Sequence, residues 1–315
     1  MIIEIRRGSF LESSHQVQAQ VVDANGEILY QSGPNDFDFF PRSAVKPLQS
    51  LLLLQTGAFS SLGLNLRHLA LASASHAGET QHTNLVSEWL SQIQAKAEDL
   101  KCGAHWPFDP DTNRMMSEEK QKPSRLHNNC SGKHTGFLSV CTHQKISHQD
   151  YHLINHPIQI QLKELMQNWI DRPLTNFAID GCSIPAFQMK FASVAQAFAR
   201  FASEASKPSK SPSRLVFEAF VQYPELTAGK AEYCTQMMKA NPSQVLLKEG
   251  AEGVLVACVP SRQLAILVKA LDGAERASQC AMDHLLAVFA KLQPVRNRQL
   301  FNWDNMRIGE ILVRP

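Results

Sequence analysis

The chain has 315 residues, 44% of them hydrophobic, enough to bury one large core or two modest ones, which excludes a disordered or low-complexity protein. With 31 basic and 29 acidic residues the formal charge is +2, so no general field draws the chain to nucleic acid or to a membrane surface, and a small neutral or zwitterionic substrate fits better. The opening Met1-Ile2-Ile3-Glu4-Ile5-Arg6 lacks a charged stretch followed by an apolar one, and no apolar run approaches the length of a membrane span, so the expected location is the cytoplasm.

In chain order, Ile3 and Ile5, then Val17, Ala19 and Val21, then Ile28 and Tyr30 alternate as β-strands do. Asn25-Gly26 marks a tight turn, and together they predict part of an antiparallel sheet. The stretch Pro41-Arg42-Ser43-Ala44-Val45-Lys46-Pro47-Leu48-Gln49 then opens a leucine run from Leu51 to Leu54. A helix beginning near Ser43 would set Ser43 and Lys46 one turn apart on one face, where a hydroxyl and an amine can meet. That is the spacing of a Ser-x-x-Lys nucleophile, in which burial keeps the amine partly neutral so that it can activate the hydroxyl. The plain alternative is an N-cap serine followed by a solvated first-turn lysine.

A short apolar strand is predicted at Leu69-Ala70-Leu71-Ala72, running into Ser73-Ala74-Ser75-His76-Ala77-Gly78-Glu79 and a helix that reaches Leu90. Ser75 then sits at a strand-to-helix corner, either as a site residue or as part of a helix cap with His76. Cys102 to Pro107 and the polar stretch to Arg125 read as an irregular surface loop, with Cys102 and His105 in a packed turn rather than a metal site.

The run His127-Asn128-Asn129-Cys130-Ser131-Gly132-Lys133-His134 contains Gly-Lys, but Asn128 stands where a phosphate-binding loop requires glycine. A helix starting near Ser131 would let Cys130, Lys133 and His134 converge on one point, with a thiolate stabilised by the helix N-terminus and by a cation or metal. Tyr151 to Ile170 carries helical periodicity, with Pro157 at a kink or at the true start. Asn176 to Ile179 reads as a buried strand ending in Asp180-Gly181-Cys182-Ser183, which would turn Asp180 and Cys182 to one side as candidate ligands. A helix over Ala186–Phe201, a Ser/Pro/Lys loop over Ser206–Ser213, a hairpin of Val254–Val259 and Leu264–Val268 preceded by Lys248-Glu249-Gly250, and a helix over Ala277–Leu292 complete the chain. The seven cysteines form no dense framework. In a reducing compartment most such cysteines are buried apolar residues, and only Cys130 and Cys182 have suggestive neighbours.

A Ser-x-x-Lys start, a second serine and a late Lys-x-Gly form an ordered set analogous to that of penicillin-recognising enzymes, with Glu249 in place of threonine. Pro41–Gln49, Ala-Ser-His-Ala-Gly-Glu at 74–79, Asn-Asn-Cys-Ser-Gly-Lys-His at 128–134 and Asp-Gly-Cys at 180–182 together resemble the asparaginase II-type family of bacterial L-asparaginases, the zinc-binding enzymes of rhizobial type.

The resemblance implies a mixed α/β (α+β) fold, a largely antiparallel sheet flanked by helices of the serine β-lactamase/glutaminase-like type. It implies one catalytic unit over 1–315, with an α-rich subregion within about 80–240. Ser43 would be the nucleophile with Lys46 as its base, and Ser75 the second serine, with Lys248 or, less closely, Lys269 as its lysine. Zn²⁺ would be held by Cys130, Lys133 and Cys182, whereas spacing alone favours His134 as the third ligand. Arg42, His134 and Asp180 would belong to the substrate pocket, Asp180 lying beside the zinc and linked to its bound water. The implied reaction is hydrolysis of L-asparagine to L-aspartate and ammonia by a homodimer. The rivals are a glutaminase or penicillin-type acyl hydrolase of the same fold, and a non-catalytic zinc or thiol protein. Two departures from the family pattern are Ser183, where a glycine is expected, and Thr227–Glu232, which matches only loosely.

Overall fold

The computed structural model describes residues 1–314, which divide into two compact units, one of 1–44, 189–206 and 236–314, the other of 45–188 and 207–235. The fold is of the expected class, mixed α/β with an antiparallel sheet and flanking helices. Among the described residues no helix is long and apolar enough to cross a membrane.

The first unit is built on an eight-stranded sheet whose hub is the long strand Phe10–Asp23. Its first half pairs antiparallel with Ile2–Arg7, which in turn pairs with Arg307–Arg314. Its second half lies between Leu264–Ala270 on one side and Ile28–Ser32 on the other. Beyond Leu264–Ala270 the order continues through Val254–Val259 to Leu246–Gly250. Residues 17–22 of the hub are buried on both faces of the pleat, which explains why the polar Gln18 and Gln20 are buried beside Val17, Ala19 and Val21. Helices Phe191–Ser206 and Glu275–Leu285 pack on these strands, the first through Phe191, Val194, Phe198, Phe201 and Ala205 at helical spacing.

The second unit is helical, and its central element is Ser131–Gln144, buried on every side from Ser131 to Cys141. Two glycines four residues apart let neighbours approach it. A Cβ on Gly132 would collide with the Leu71 carbonyl oxygen, and one on Gly136 would stand 3.3 Å from Leu53. Helices Leu51–Gln55, Leu66–Ala72 and Thr80–Gln92 pack around it.

Several local expectations are corrected. Leu69 to Ala72 is the end of helix Leu66–Ala72 rather than a strand: Asn65 caps it, accepting from Arg67 N at 3.0 Å, while His68 Nδ1 accepts from Asn65 N. A short apolar run fits a buried helix as well as a buried strand, and the Asn-x-x-His cap decides between them. Ser43 lies in a 3₁₀ turn, Arg42–Val45, and the α-helix begins only at Lys46, because Pro47 is suited to a first turn and not to a helix interior. The loop after Cys102 contains helix Pro110–Glu118, started by Asp109 and Pro110. Phe177–Ile179 is exposed rather than buried, since it pairs only with Pro185–Phe187 in a two-stranded hairpin. The helix expected from Ala186 begins at Phe191, after strands Pro185–Phe187 and Met189–Lys190. Lys248 stands within strand Leu246–Gly250 rather than before it.

Candidate active site

The helical unit brings together Lys46, Ser75, Cys130, Lys133, Asp180 and Cys182. Ser75 lies in an extended segment, Ser73–Glu79, between helices Leu66–Ala72 and Thr80–Gln92. Hydrogen bonds hold this segment from two sides. Ser75 N donates to Thr227 O at 3.1 Å and Ala77 N to Ala228 O at 2.6 Å, while His76 N donates to Asn129 O at 3.1 Å. The buried Glu79 carboxylate accepts from Lys230 N at 2.7 Å, and Gly229, at φ 152, has no room for a Cβ between Ala77 and Glu79. The loosely matching segment Thr227–Glu232 is therefore the strip that aligns the second serine. Sequence reasoning missed this role, and the glycine of Thr227-Ala228-Gly229 was its one signal.

Lys46 is buried at the start of its helix, and its side-chain nitrogen reaches atoms from elsewhere in the chain. It donates to Ala74 O at 2.6 Å and to Ser75 Oγ at 2.8 Å, and lies 3.1 Å from Cys130 Sγ. Within the helical unit, the amine that meets the Ser75 hydroxyl is that of Lys46.

Cys130 caps helix Ser131–Gln144. Its N–H donates to Asn128 Oδ1 at 2.9 Å, and Asn128 Nδ2 donates to Cys102 O at 2.7 Å, which fixes the turn. One helical turn further on, Lys133 Nζ donates to Cys182 Sγ at 3.1 Å. Cys182 follows strand Phe177–Ile179 in a turn closed by Ser183 N donating to Asp180 O at 2.8 Å, so the turn, not strand alternation, brings the Cys182 sulfur to 3.1 Å from Asp180 Oδ2.

The two thiols are driven apart electrostatically. Hydrogen-bonded to Cys182 and desolvated, the Cys130 thiol is pushed up to about 12. That same hydrogen bond, opposed by burial and aided by Lys133, pulls Cys182 down to about 6. Burial alone would lower the Lys133 ammonium, but Cys130, Cys182 and Asp180 outweigh it and hold the group above its ordinary range. Without a metal the cluster is a thiol, a thiolate and an ammonium.

The donor set fits a metal. Cys130 Sγ, a carboxylate oxygen of Asp180 and Cys182 Sγ all lie within 4.8 Å of one another and could hold an ion. Tetrahedral donors around zinc stand roughly 3.5–4 Å apart, and soft thiolates favour that ion. A thiolate and a carboxylate in contact at 3.1 Å also call for a cation or proton between them.

His134 Nδ1 is 2.5 Å from Tyr151 Oη, and its Nε2 finds no hydrogen-bond partner among the described residues. Burial, with Lys133 adding, depresses this imidazole to about 3. Arg42, Ser43, Lys248 and Lys269 belong to the sheet unit. There the 3₁₀ turn of Ser43 lies against Gly250, where a Cβ would collide with the Pro41 carbonyl oxygen, and Arg42 adopts φ 51. Lys248 Nζ donates to Glu249 O at 2.9 Å, and Lys269 Nζ to Glu252 O and Ala270 O at 2.6 Å.

The family model described as L-asparaginase II matches residues 3–312. A sequence comparison with curated proteins gave no match. Among solved structures, the chain is similar to a β-lactamase from Mycobacterium bovis, with 17% identity over 87% of this chain and 94% of that one and a TM-score of 0.48. It is similar to Mglu in its native form at 12% identity, 91% and 63% coverage and a TM-score of 0.48. A third likeness is to the octameric penicillin-binding protein homologue from Pyrococcus abyssi, at 8% identity, 88% and 74% coverage and a TM-score of 0.42.

Proposed function

Because the chain belongs to the L-asparaginase II family and is an enzyme of the asparaginase type, we propose that it hydrolyses L-asparagine to L-aspartate and ammonia with a Ser-Lys nucleophile beside a zinc site. The observation that carries the reading is the buried Lys46 amine, 2.8 Å from Ser75 Oγ and 3.1 Å from Cys130 Sγ.

Ser43, three residues before Lys46, attacks the side-chain amide carbon. Neutral Lys46 accepts the hydroxyl proton and passes it to the departing nitrogen, so the C–N bond breaks to release ammonia and leave an ester on Ser43. Water then cleaves the ester, with Ser75 and Lys46 shuttling the proton and Lys248 completing the set of amines. Backbone N–H groups near Ser43 and around Gly250 receive the developing oxyanion. The family resemblance assigns Arg42, His134 and Asp180 to the substrate pocket.

Cys130, Lys133 and Cys182 would hold Zn²⁺, with Asp180 beside them. Lys133 must lose its proton to become a ligand, and two thiolates in a desolvated pocket favour the ion strongly enough to displace it. When bound, the ion supplies a fixed positive charge that orients and polarises the substrate. A homodimer in the cytoplasm acting on a small-molecule substrate completes the reading.

A second reading has its own support. With Lys46 Nζ 2.8 Å from Ser75 Oγ, this reading makes Ser75 the attacking hydroxyl and Lys46, once uncharged, the base that accepts its proton. Ammonia release and acyl-enzyme trapping on folded Ser43→Ala and Ser75→Ala proteins separate the two. The main reading expects Ser43→Ala to lose both the trapped ester and about 10³-fold or more in rate. Near wild-type turnover in Ser43→Ala removes Ser43 as nucleophile, and a trapped ester on Ser75 replaces it. Unchanged zinc content in Cys130→Ala and Cys182→Ala would refute the ligand set.

A further inference from the structure

We propose that His76 is a positioning residue that locks the segment carrying Ser75 to the turn carrying Cys130, so that one ring sets both the hydroxyl and the sulfur side of the site. The inference deepens the function proposed above and rests on it; the mechanism itself uses no atom of His76.

His76 is fully buried, and its hydrogen bonds admit a single tautomer. Gly78 N donates to His76 Nδ1 at 3.2 Å, so Nδ1 is the acceptor and the proton sits on Nε2. Nε2–H then donates to Ser131 Oγ at 2.8 Å, and the Ser131 hydroxyl in turn donates to Leu126 O at 2.9 Å. The His76 backbone N–H grips the same turn at Asn129 O. One residue thus holds both Asn129 and Ser131, the two neighbours of Cys130, while its own chain neighbour is Ser75.

The ring is itself braced. It stacks on His82 with centroids 4.8 Å apart and planes 13° from parallel. His82 in turn accepts from Glu79 N at 3.1 Å and donates to Glu225 O at 2.9 Å. Complete burial, with His82 and Lys46 as neighbours, keeps His76 uncharged, so its two ring nitrogens retain distinct acceptor and donor roles. Such outer partners of ligand-bearing segments commonly govern metal affinity by 10- to 100-fold.

The test compares His76→Gln, which keeps an amide N–H close to the Nε2 position, with His76→Asn, which keeps only an acceptor near Nδ1, and with Ser131→Ala, which removes the partner alone. Zinc affinity is measured by chelator competition with Zn²⁺, and ammonia release gives kcat and KM. His76→Gln is expected within about threefold of wild type, while His76→Asn and Ser131→Ala lose about 10- to 100-fold in zinc affinity and fall in kcat with KM little changed. Wild-type zinc affinity in His76→Asn and Ser131→Ala overturns the proposal, as does a His76→Gln protein as impaired as His76→Asn, because bulk rather than the hydrogen bond would then matter. Cys130→Ala serves as the reference. If it loses zinc while the His76 variants do not, the positioning role falls and the zinc reading stands; a wild-type protein that takes up no zinc overturns both.

Discussion

Lys46 and Lys133 are two buried lysines of the same helical unit, each with its nitrogen 3.1 Å from one sulfur of the same pair. Their surroundings nevertheless differ in kind. Lys46 also donates to a carbonyl and to the Ser75 hydroxyl, partners that bond an amine without demanding that it stay charged. Lys133 stands among two sulfurs and the Asp180 carboxylate, and that acidity holds its proton against the cost of burial. The first setting suits an amine that trades protons with a hydroxyl, the second a site waiting for a cation. Distance to sulfur does not distinguish them; the remaining neighbours do.

Exchanging each lysine for methionine tests this most severely. The Lys46→Met protein should keep its zinc and lose about 10²- to 10⁴-fold in ammonia release, the range of a lost general base. Lys133→Met should do the reverse, losing zinc affinity by 10-fold or more while retaining more turnover than Lys46→Met. Zinc content by elemental analysis and kcat on the same preparations give the result. Equal loss of turnover in both proteins would make the two lysines one catalytic set and erase the distinction.

Part of this contrast was legible in the sequence and part was not. Ser-x-x-Lys, Cys-x-x-Lys and Asp-x-Cys are local patterns, so the chemical types were readable from spacing, as were the alternating strands of the amino-terminal hairpin. Which amine meets which partner is settled by contacts between residues up to 84 positions apart, and no periodicity encodes those. The motif order pairs Ser75 with Lys248, and nothing in it signals that the Ser75 hydroxyl also meets Lys46. The strand expected at Leu69–Ala72 failed for a different reason: a fully buried segment is apolar throughout and has lost the period that identifies it.

A pH series on chelated protein sharpens the comparison. The hydrogen bond from Cys130, aided by Lys133, moves the Cys182 thiol from 9.0 to about 6. An acid with a lowered folded pKa contributes stability that is complete above its unfolded value and disappears as pH falls through the folded one, here between about 9 and about 6. His134, lowered from 6.5 to about 3, removes more stability below pH 6.5, because only the unfolded chain takes up that proton. Toward pH 9 the sign reverses, since Cys130, raised to about 12, ionises more readily when unfolded. Thermal unfolding should therefore show a maximum below pH 9, because Cys102, Cys141, Cys258 and Cys280, also raised by burial, ionise more readily when unfolded, and a fall of about a few kcal/mol toward acid, with part of the slope between about pH 6 and 9 lost in Lys133→Met and kept in Lys46→Met. A slope unaffected by Lys133→Met would mean that Lys133 does not hold the thiolate.

The smallest expected effect lies in the turn that brings Cys182 to Lys133. Ser183 adopts φ 73, the left-handed region in which a Cβ costs roughly 1 kcal/mol, and it closes the turn through its backbone N–H rather than its side chain. This is the position where the family pattern leads one to expect glycine. The neighbouring Gly181 has no such need, since a Cβ there would meet nothing within 4 Å. Ser183→Gly should relieve the strain but loosen the unfolded chain, leaving a net gain between zero and about 1 kcal/mol by denaturant unfolding, with zinc affinity within about twofold of wild type. Loss of zinc affinity in this variant would show that the serine side chain helps to aim the Cys182 sulfur, and the backbone turn alone would no longer account for how Lys133 acquires its acidic surroundings.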